Sequence, residues 1–363
     1  MNQQSVQLNA SDFAVPAPVL SWQARFLGIG VVGLVLTAVG WVISPEQFFR
    51  GYLMAYMLWV GLSLGCLGLL MVQYLSGGLW GLTLRRFYEA GAQNLWLMLI
   101  LFVPIAIGRH HLYEWMTNPS LTLKSSWYLT EGKWFFRLAL YFVLWLLMTV
   151  SLSRRSRQQD ERPGLLHGIQ GFSGVGLVVL ALTVSFAAVD WIMSLDPTWG
   201  STIYGLIFLV GQGLSALCFG IIMLTLVTRN EPFRDIIKPM QFHDIGKLTL
   251  ALVMVWAYFS FSQWLIIWSG NLPDEISWYL ARIRGPIGYV ALFLIFFHFV
   301  FPFLLLLSRE RKRAGSRLIG LAIFLICMRF VDIYWYTVPN FAHTHNYTLF
   351  HWTYIVAPIG IGG

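Results

Sequence analysis

Met328-Arg-Phe-Val-Asp-Ile-Tyr-Trp-Tyr-Thr-Val-Pro339 places Arg329 and Asp332 inside a segment otherwise fit only for lipid. Two opposite charges three apart on a helix share one face, roughly 4.5 Å apart along the axis. Ionisable side chains in a membrane span are costly and mark a functional site with a partner. The stretch has an echo in FAAVDWIMSLDP, residues 186 to 197, where Val189, Asp190 and Pro197 stand 142 residues before Val331, Asp332 and Pro339. Arg329 has no echo; its counterpart is Ala187. The pattern sets a paired acid, Asp332, against an acid with no cation beside it, Asp190.

The surrounding composition supports a membrane reading. The chain has 363 residues, 57% hydrophobic and 11% charged, with a mean hydropathy of +0.66. Soluble domains carry about 25% charged residues. Long apolar runs predict an all-α polytopic membrane protein. The net charge of +8 does not point to nucleic acid, because the basic residues lie in short loops between spans. Cys66, Cys218 and Cys327 all fall in apolar runs, so neither a disulfide framework nor a CxxC metal site is expected. Residues 1–23 are polar, without the charged start and cleavage site of a signal peptide.

Nine spans are expected at 24–43, 51–75, 91–108, 133–152, 171–194, 201–227, 246–268, 286–308 and 316–336, and a tenth begins near Phe350. The remaining residues, about 14, are too few to cross a 30 Å core as a helix, so the tenth span is expected to continue past Gly363. Loops after the even spans carry fifteen Lys or Arg and those after the odd spans six, which puts the even loops and the N-terminus in the cytoplasm.

A second repeat sets the expected architecture. Gly61-Leu-Ser-Leu-Gly-Cys-Leu-Gly68 in span 2 matches Gly213-Leu-Ser-Ala-Leu-Cys-Phe-Gly220 in span 6, and Tyr52 matches Tyr204. Spans 4 and 8 both end Leu-Ser-Arg, at Arg154 and Arg309. Spans 2–5 and 6–9 therefore read as two copies of a four-helix bundle in the same orientation, flanked by spans 1 and 10. The units are 1–23, a polar cytoplasmic segment; 24–50, the first flanking span; 51–200 and 201–339, the two bundles; and 340–363, a loop and the start of span 10. The shared Gly and Ser positions suit close helix contact.

Several residues could carry chemistry. Asp332 is either a fixed ion pair bracing the second bundle or part of a proton path with Arg329. Asp190, without a cation, is the acid expected to exchange a proton, unless it accepts hydrogen bonds from the following turn. His298, mid-span in LFLIFFHFVFP, either passes protons or bonds to a carbonyl freed by Pro302. No second histidine lies at matching depth for haem. His110, His111, His343, His345 and His351 gather on the non-cytoplasmic side, where contact with a partner or lipid headgroups fits better than a metal site. At the cytoplasmic edge Glu89 opens span 3, and His243, Asp244 and Lys247 open span 7, with Asp244 placed as an N-cap; these are caps or a proton-uptake vestibule. Gln212 and Gln263 require partners across helices. No catalytic triad, nucleotide loop or cluster motif occurs, so any electron carriers belong to other subunits.

HDIGKLTLALVMVWAYFSFSQWLIIWSGNLPDEISWY (243–279), VDWIMSLDPTW (189–199), STIYGLIFLVGQGLSAL (201–217) and GRHHLY (108–113) resemble the smaller polysulfide-reductase-type (NrfD-like) membrane subunit of bacterial alternative complex III, a quinol:electron-acceptor oxidoreductase. The resemblance covers nearly the whole chain from residue 24. It implies a ten-span subunit of the bacterial inner membrane, without a redox centre or covalent cofactor. The implied partners are a larger homologous membrane subunit, an iron–sulfur subunit, multihaem and monohaem cytochromes c, and small membrane anchors. Haem c and iron–sulfur clusters would sit in those partners, with menaquinol or ubiquinol nearby. The resemblance implies scaffolding and a proton path through polar intramembrane residues; the residues read above as candidates for it are Asp190, His298, Arg329 and Asp332, with Glu89, His243, Asp244 and Lys247 at the entry. An alternative is a quinol-binding subunit proper, with His110, His111 and Asp190 at the quinone. A second alternative, a secondary transporter, would want helix breaks at the midplane of paired spans, whereas Pro104, Pro197, Pro302 and Pro339 lie nearer span ends.

Overall fold

In lipid every backbone amide and carbonyl must find its partner within the protein, which leaves a chain this apolar little choice but helix. The computed structural model describes residues 17–122, 127–161, 166–229, 231, 233–342 and 347–363, and among these there are helices and no strands. Among the described residues nine helices are long and apolar enough to cross a membrane: Trp22–Ile43, Pro45–Ser76, Arg85–Ile107, Glu131–Gln159, Gly168–Leu195, Tyr204–Val227, Pro239–Gly270, Pro286–Leu307 and Gly315–Phe341. They are called spans 1 to 9 in that order.

Several spans outrun the apolar stretches that announce them. Span 2 starts at Pro45 rather than residue 51, and span 7 at Pro239 rather than 246. In both, proline occupies the first helical turn, where its missing N–H is no loss. The added turns carry Glu46 and Arg50 in span 2 and His243 and Asp244 in span 7, polar residues suited to the headgroup layer. The helix start also corrects the expected role of Asp244. Lys238 is the N-cap, its amide donating to Gln241 Oε1 (2.8 Å), and Asp244 lies in the second turn.

Span 3 is interrupted at Asn94 and Phe102. Hydroxyls from span 2 attend the interrupted region: Tyr56 donates to the Met98 carbonyl (3.1 Å) and Tyr52 to that of Leu101 (2.7 Å). Span 7 ends at Asn271 in the left-handed conformation (φ 48), and a short helix, Pro273–Ile283, follows before span 8.

Spans 2 and 6 lie against each other at the centre of the molecule. Gly65 makes the approach feasible, since a Cβ there would overlap the Gln212 carbonyl. Span 2 also contacts spans 3 and 5, and span 6 contacts spans 7 and 9; spans 4 and 8 each complete one side. The last segment forms a ten-residue helix, Thr353–Gly362, seated on spans 1 and 2. Its contact with span 1 is backbone to backbone: a Cβ on Gly33 would stand 2.6 Å from Gly360 Cα. Trp59 and Tyr354 fasten the same helix to span 2, through Trp59 Nε1 to the Pro358 carbonyl (2.8 Å) and Tyr354 Oη to Gln47 Oε1 (2.6 Å).

Gly33→Leu should part span 1 from the terminal helix, at an overpacking cost of about 1–3 kcal/mol. A lowered Tm of the purified protein checks this. Gly28→Leu, where a Cβ meets nothing within 4 Å, should leave Tm unchanged.

Candidate functional site

Burying a charge costs several kcal/mol unless a partner offsets it, so buried ionic groups mark where a membrane protein concentrates its chemistry. Asp190, on span 5, is 1% exposed. It is not a lone acid. Arg137 of span 4 grips it with both prongs, Nε to Oδ2 at 2.8 Å and Nη2 to Oδ1 at 2.7 Å, and Tyr141 donates to Oδ2 at 2.7 Å. Arg137 is held in turn by the Tyr128 carbonyl (3.0 Å) and lies 3.8 Å from the Tyr128 ring centroid. Trp134 Nε1 and Ser194 Oγ both donate to the Asp190 backbone carbonyl. A bidentate guanidinium and a phenol occupy both carboxylate oxygens, which removes the expected basis for proton exchange at Asp190.

Asp332, on span 9, is equally buried at 1% exposure. The expected pair with Arg329 is present, Arg329 Nη1 meeting Asp332 Oδ2. Trp256 Nε1 of span 7 donates to the same oxygen at 3.2 Å. Oδ1 receives no hydrogen bond from the described residues. Arg329 lies 5.0 Å from the Phe208 ring centroid of span 6. Gly211 leaves room for it, since a Cβ there would overlap the guanidinium. Asp332 also borders a cavity of about 1170 Å³ between spans 7, 8 and 9 and the helix Pro273–Ile283.

His298 stands beside this second pair. It is fully buried, with its ring 4.2 Å from that of Trp256. Span 8 opens into a π-helical turn at Ile295–Val300 around it. Pro302 supplies a physical cause, because it cannot donate to the His298 carbonyl and its ring crowds that group. The expected hydrogen bond from the imidazole to a freed carbonyl does not form. Neither ring nitrogen has a partner among the described residues, and the Met328 backbone lies near without the geometry of a hydrogen bond.

The other expected residues sit apart from these groups. Glu89 accepts from Arg86 Nη1 (2.6 Å) and from Ser156, with Arg85 Nε at 3.6 Å, forming an edge cluster in which Arg86 is 53% exposed. Lys247 Nζ is 3.3 Å from Asp244 Oδ1, and His243 Nδ1 stands 3.9 Å from the same oxygen, too far to bond. His110 and His111 are exposed, His111 stacking on Phe49 at 5.1 Å. His343 and His345 lie outside the described residues, and among the described ones no group of three or more His, Cys, Asp or Glu could hold a metal. Gln263 accepts from Ser201, which precedes span 6, while Gln212 Oε1 is buried without a partner among the described residues.

Two arginines escaped sequence reading. Arg137 lies within the apolar run KWFFRLALYFV, and its presence in a span was itself a signal that an acid faced it. Arg282, one of the six basic residues counted in the loops after the odd spans, is 1% exposed and has its guanidinium 3.5 Å from the Trp278 ring centroid. It donates to the carbonyls of Trp278 (2.9 Å) and Tyr336 (3.1 Å) and to Asn340 Oδ1 (2.7 Å). Burial pulls it down to about 10, so it remains a cation at neutral pH.

Arg137→Leu leaves Asp190 buried and unpaired and should destabilise the protein by about 3–5 kcal/mol. Adding Asp190→Asn should recover much of that loss. Unfolding measured on both single variants and the double variant checks the coupling. Comparison with known proteins adds nothing to these observations: no family model matches the chain, and no curated protein matches it.

Proposed function

We propose that this chain is a membrane subunit, without a redox centre of its own, of a quinol-oxidising complex of the alternative complex III type. It scaffolds that complex and conducts protons through its second half. The membrane assignment rests on the nine apolar spans. The complex rests on the sequence resemblance, which also supplies the partners: a larger homologous membrane subunit, an iron–sulfur subunit, cytochromes c and small anchors. Contacts of spans 2, 3, 4 and 5 with one another, paralleled by those of spans 6, 7, 8 and 9, support a duplicated four-helix bundle. The loop charges support a cytoplasmic N-terminus in a bacterial inner membrane.

The observation that carries the proton reading is the difference between the two buried acids. Both oxygens of Asp190 are bound, whereas Asp332 keeps Oδ1 unbonded at a cavity. His298, whose ring nitrogens meet no partner with hydrogen-bond geometry among the described residues, stands against Trp256, which itself bonds Asp332. An imidazole and a carboxylate so placed are the groups a proton relay needs. The path therefore uses His298, Arg329 and Asp332, and Asp190 is a structural brace. Glu89 and the His243–Asp244–Lys247 group lie toward the cytoplasmic ends of their spans, where uptake would begin.

In the assembled complex, Asp332→Asn should lower the proton-to-electron ratio by at least half, and Asp190→Asn should leave it unchanged. Proton release measured against electron transfer in reconstituted vesicles checks this. An unchanged ratio in Asp332→Asn removes the relay from this chain.

A further inference from the structure

A lysine at a membrane boundary ordinarily carries its ammonium out to water on a flexible stem. Lys312, in the short helix Arg309–Arg313, breaks that pattern and is only 8% exposed. The short helix packs against the Pro239 end of span 7, and Gly246 makes the fit feasible. A Cβ at Gly246 would stand 2.9 Å from Lys312 Cγ, so the lysine stem lies against the span 7 backbone. Among the described residues the ammonium has neither an ion pair nor a hydrogen bond.

Other polar groups gather at the same place. His243 is 9% exposed, and its Nδ1 is buried without a hydrogen bond, 3.9 Å from Asp244 Oδ1. The charged neighbours of the imidazole are Lys247, Lys312, Arg313 and Asp244. Asp244 is the one acid of that set, and it meets Lys247 Nζ at 3.3 Å. Arg313 is exposed and makes no ion pair among the described residues; Glu310, on the same short helix, is exposed and pairs with none of these cations. Three cations thus face one carboxylate. Like charges held together repel, and a buried ammonium without a counterion is costly. An anion seated among them would relieve both.

The position of the group says which anion. It stands at the start of span 7 and just past the end of span 8, the level of lipid headgroups. Lys247 lies on a lipid-facing stripe of span 7 that Met254 and Phe261 continue at intervals of seven, at 44% and 57% exposure. Leu304 and Leu307, on the neighbouring end of span 8, add exposed apolar surface. A cationic recess continuous with such a surface matches an acidic headgroup that carries acyl chains.

We propose that His243, Lys247, Lys312 and Arg313 bind the phosphate of an anionic membrane phospholipid. The two lysines and the arginine balance its charge, His243 Nδ1 donates a hydrogen bond to it, and the acyl chains run along Met254 and Leu304. The proposal does not rest on the proton path, because occupancy is read on the isolated chain without electron transfer.

The test is titration of dioleoylphosphatidylglycerol into the delipidated full-length chain in detergent, with bound lipid counted by native mass spectrometry. The expected result is one tightly held lipid per chain, bound at least tenfold more tightly than dioleoylphosphatidylcholine. Lys312→Gln should weaken it about tenfold. Lys247→Gln and Arg313→Gln, both at exposed positions, should each weaken it about fivefold while Tm stays near that of the parent. Arg311→Gln, on the far side of the short helix, and Arg157→Gln, at the end of span 4, remove the same charge and should leave the affinity unchanged. Equal losses in these two variants would assign binding to diffuse surface charge and overturn the site. Equal binding of the two lipids would overturn the chemistry. Full displacement by inorganic phosphate at equal concentration would make the occupant a soluble anion and overturn the lipid.

Discussion

A buried carboxylate in a low-dielectric interior must be paired, and this chain meets that constraint twice in different ways. Arg137 and Asp190 join spans 4 and 5 through two hydrogen bonds in parallel, with Tyr141 on the same acid. That arrangement saturates the carboxylate and fixes one helix against another. Arg329 and Asp332 sit on one helix and meet at a single oxygen. Trp256 and Phe208 bring spans 7 and 6 to the pair without covering the second oxygen. The first arrangement suits a brace and the second leaves chemical capacity.

The rest of the architecture follows from keeping these groups in place. Gly211 leaves space for the Arg329 guanidinium, so span 6 can approach span 9 closely at that level. Gly65 and Gln212 bring spans 2 and 6 together, and the orphaned Gln212 Oε1 is a cost carried by that close approach. The π-helical turn around His298 displaces the regular register of span 8 and carries an unbonded imidazole against Trp256. Arg282, neutralised by no carboxylate within bonding distance among the described residues, is held by carbonyls and an indole face and steadies the helix that roofs the cavity.

Much of this was legible in the sequence because it is local. Spans show as apolar runs, and Arg329 with Asp332 shows as a spacing of three on one helix. Arg137 with Asp190 does not show, since their 53-residue separation is closed only by helix packing. Asp190 has no cation on its own helix, so a pattern local to span 5 leaves it unpaired. The Asp244 assignment failed for a different reason: Pro239, not the first apolar residue, sets where span 7 begins. Pro302 signalled a disturbance near His298 but not its form, because whether a freed carbonyl captures the imidazole depends on ring orientation in three dimensions. The cavity is likewise a property of small residues on two helices, Ala257 and Ala291, that no spacing rule relates.

Asp332 borders a cavity with one oxygen unbonded among the described residues, whereas both oxygens of Asp190 are bound. Labelling with dicyclohexylcarbodiimide, a lipid-soluble reagent for carboxyl groups in apolar surroundings, followed by peptide mass spectrometry, compares the two acids in a single sample. Modification at Asp332 with Asp190 spared is the predicted result. Modification of Asp190 to the same extent as Asp332, or in preference to it, would contradict it.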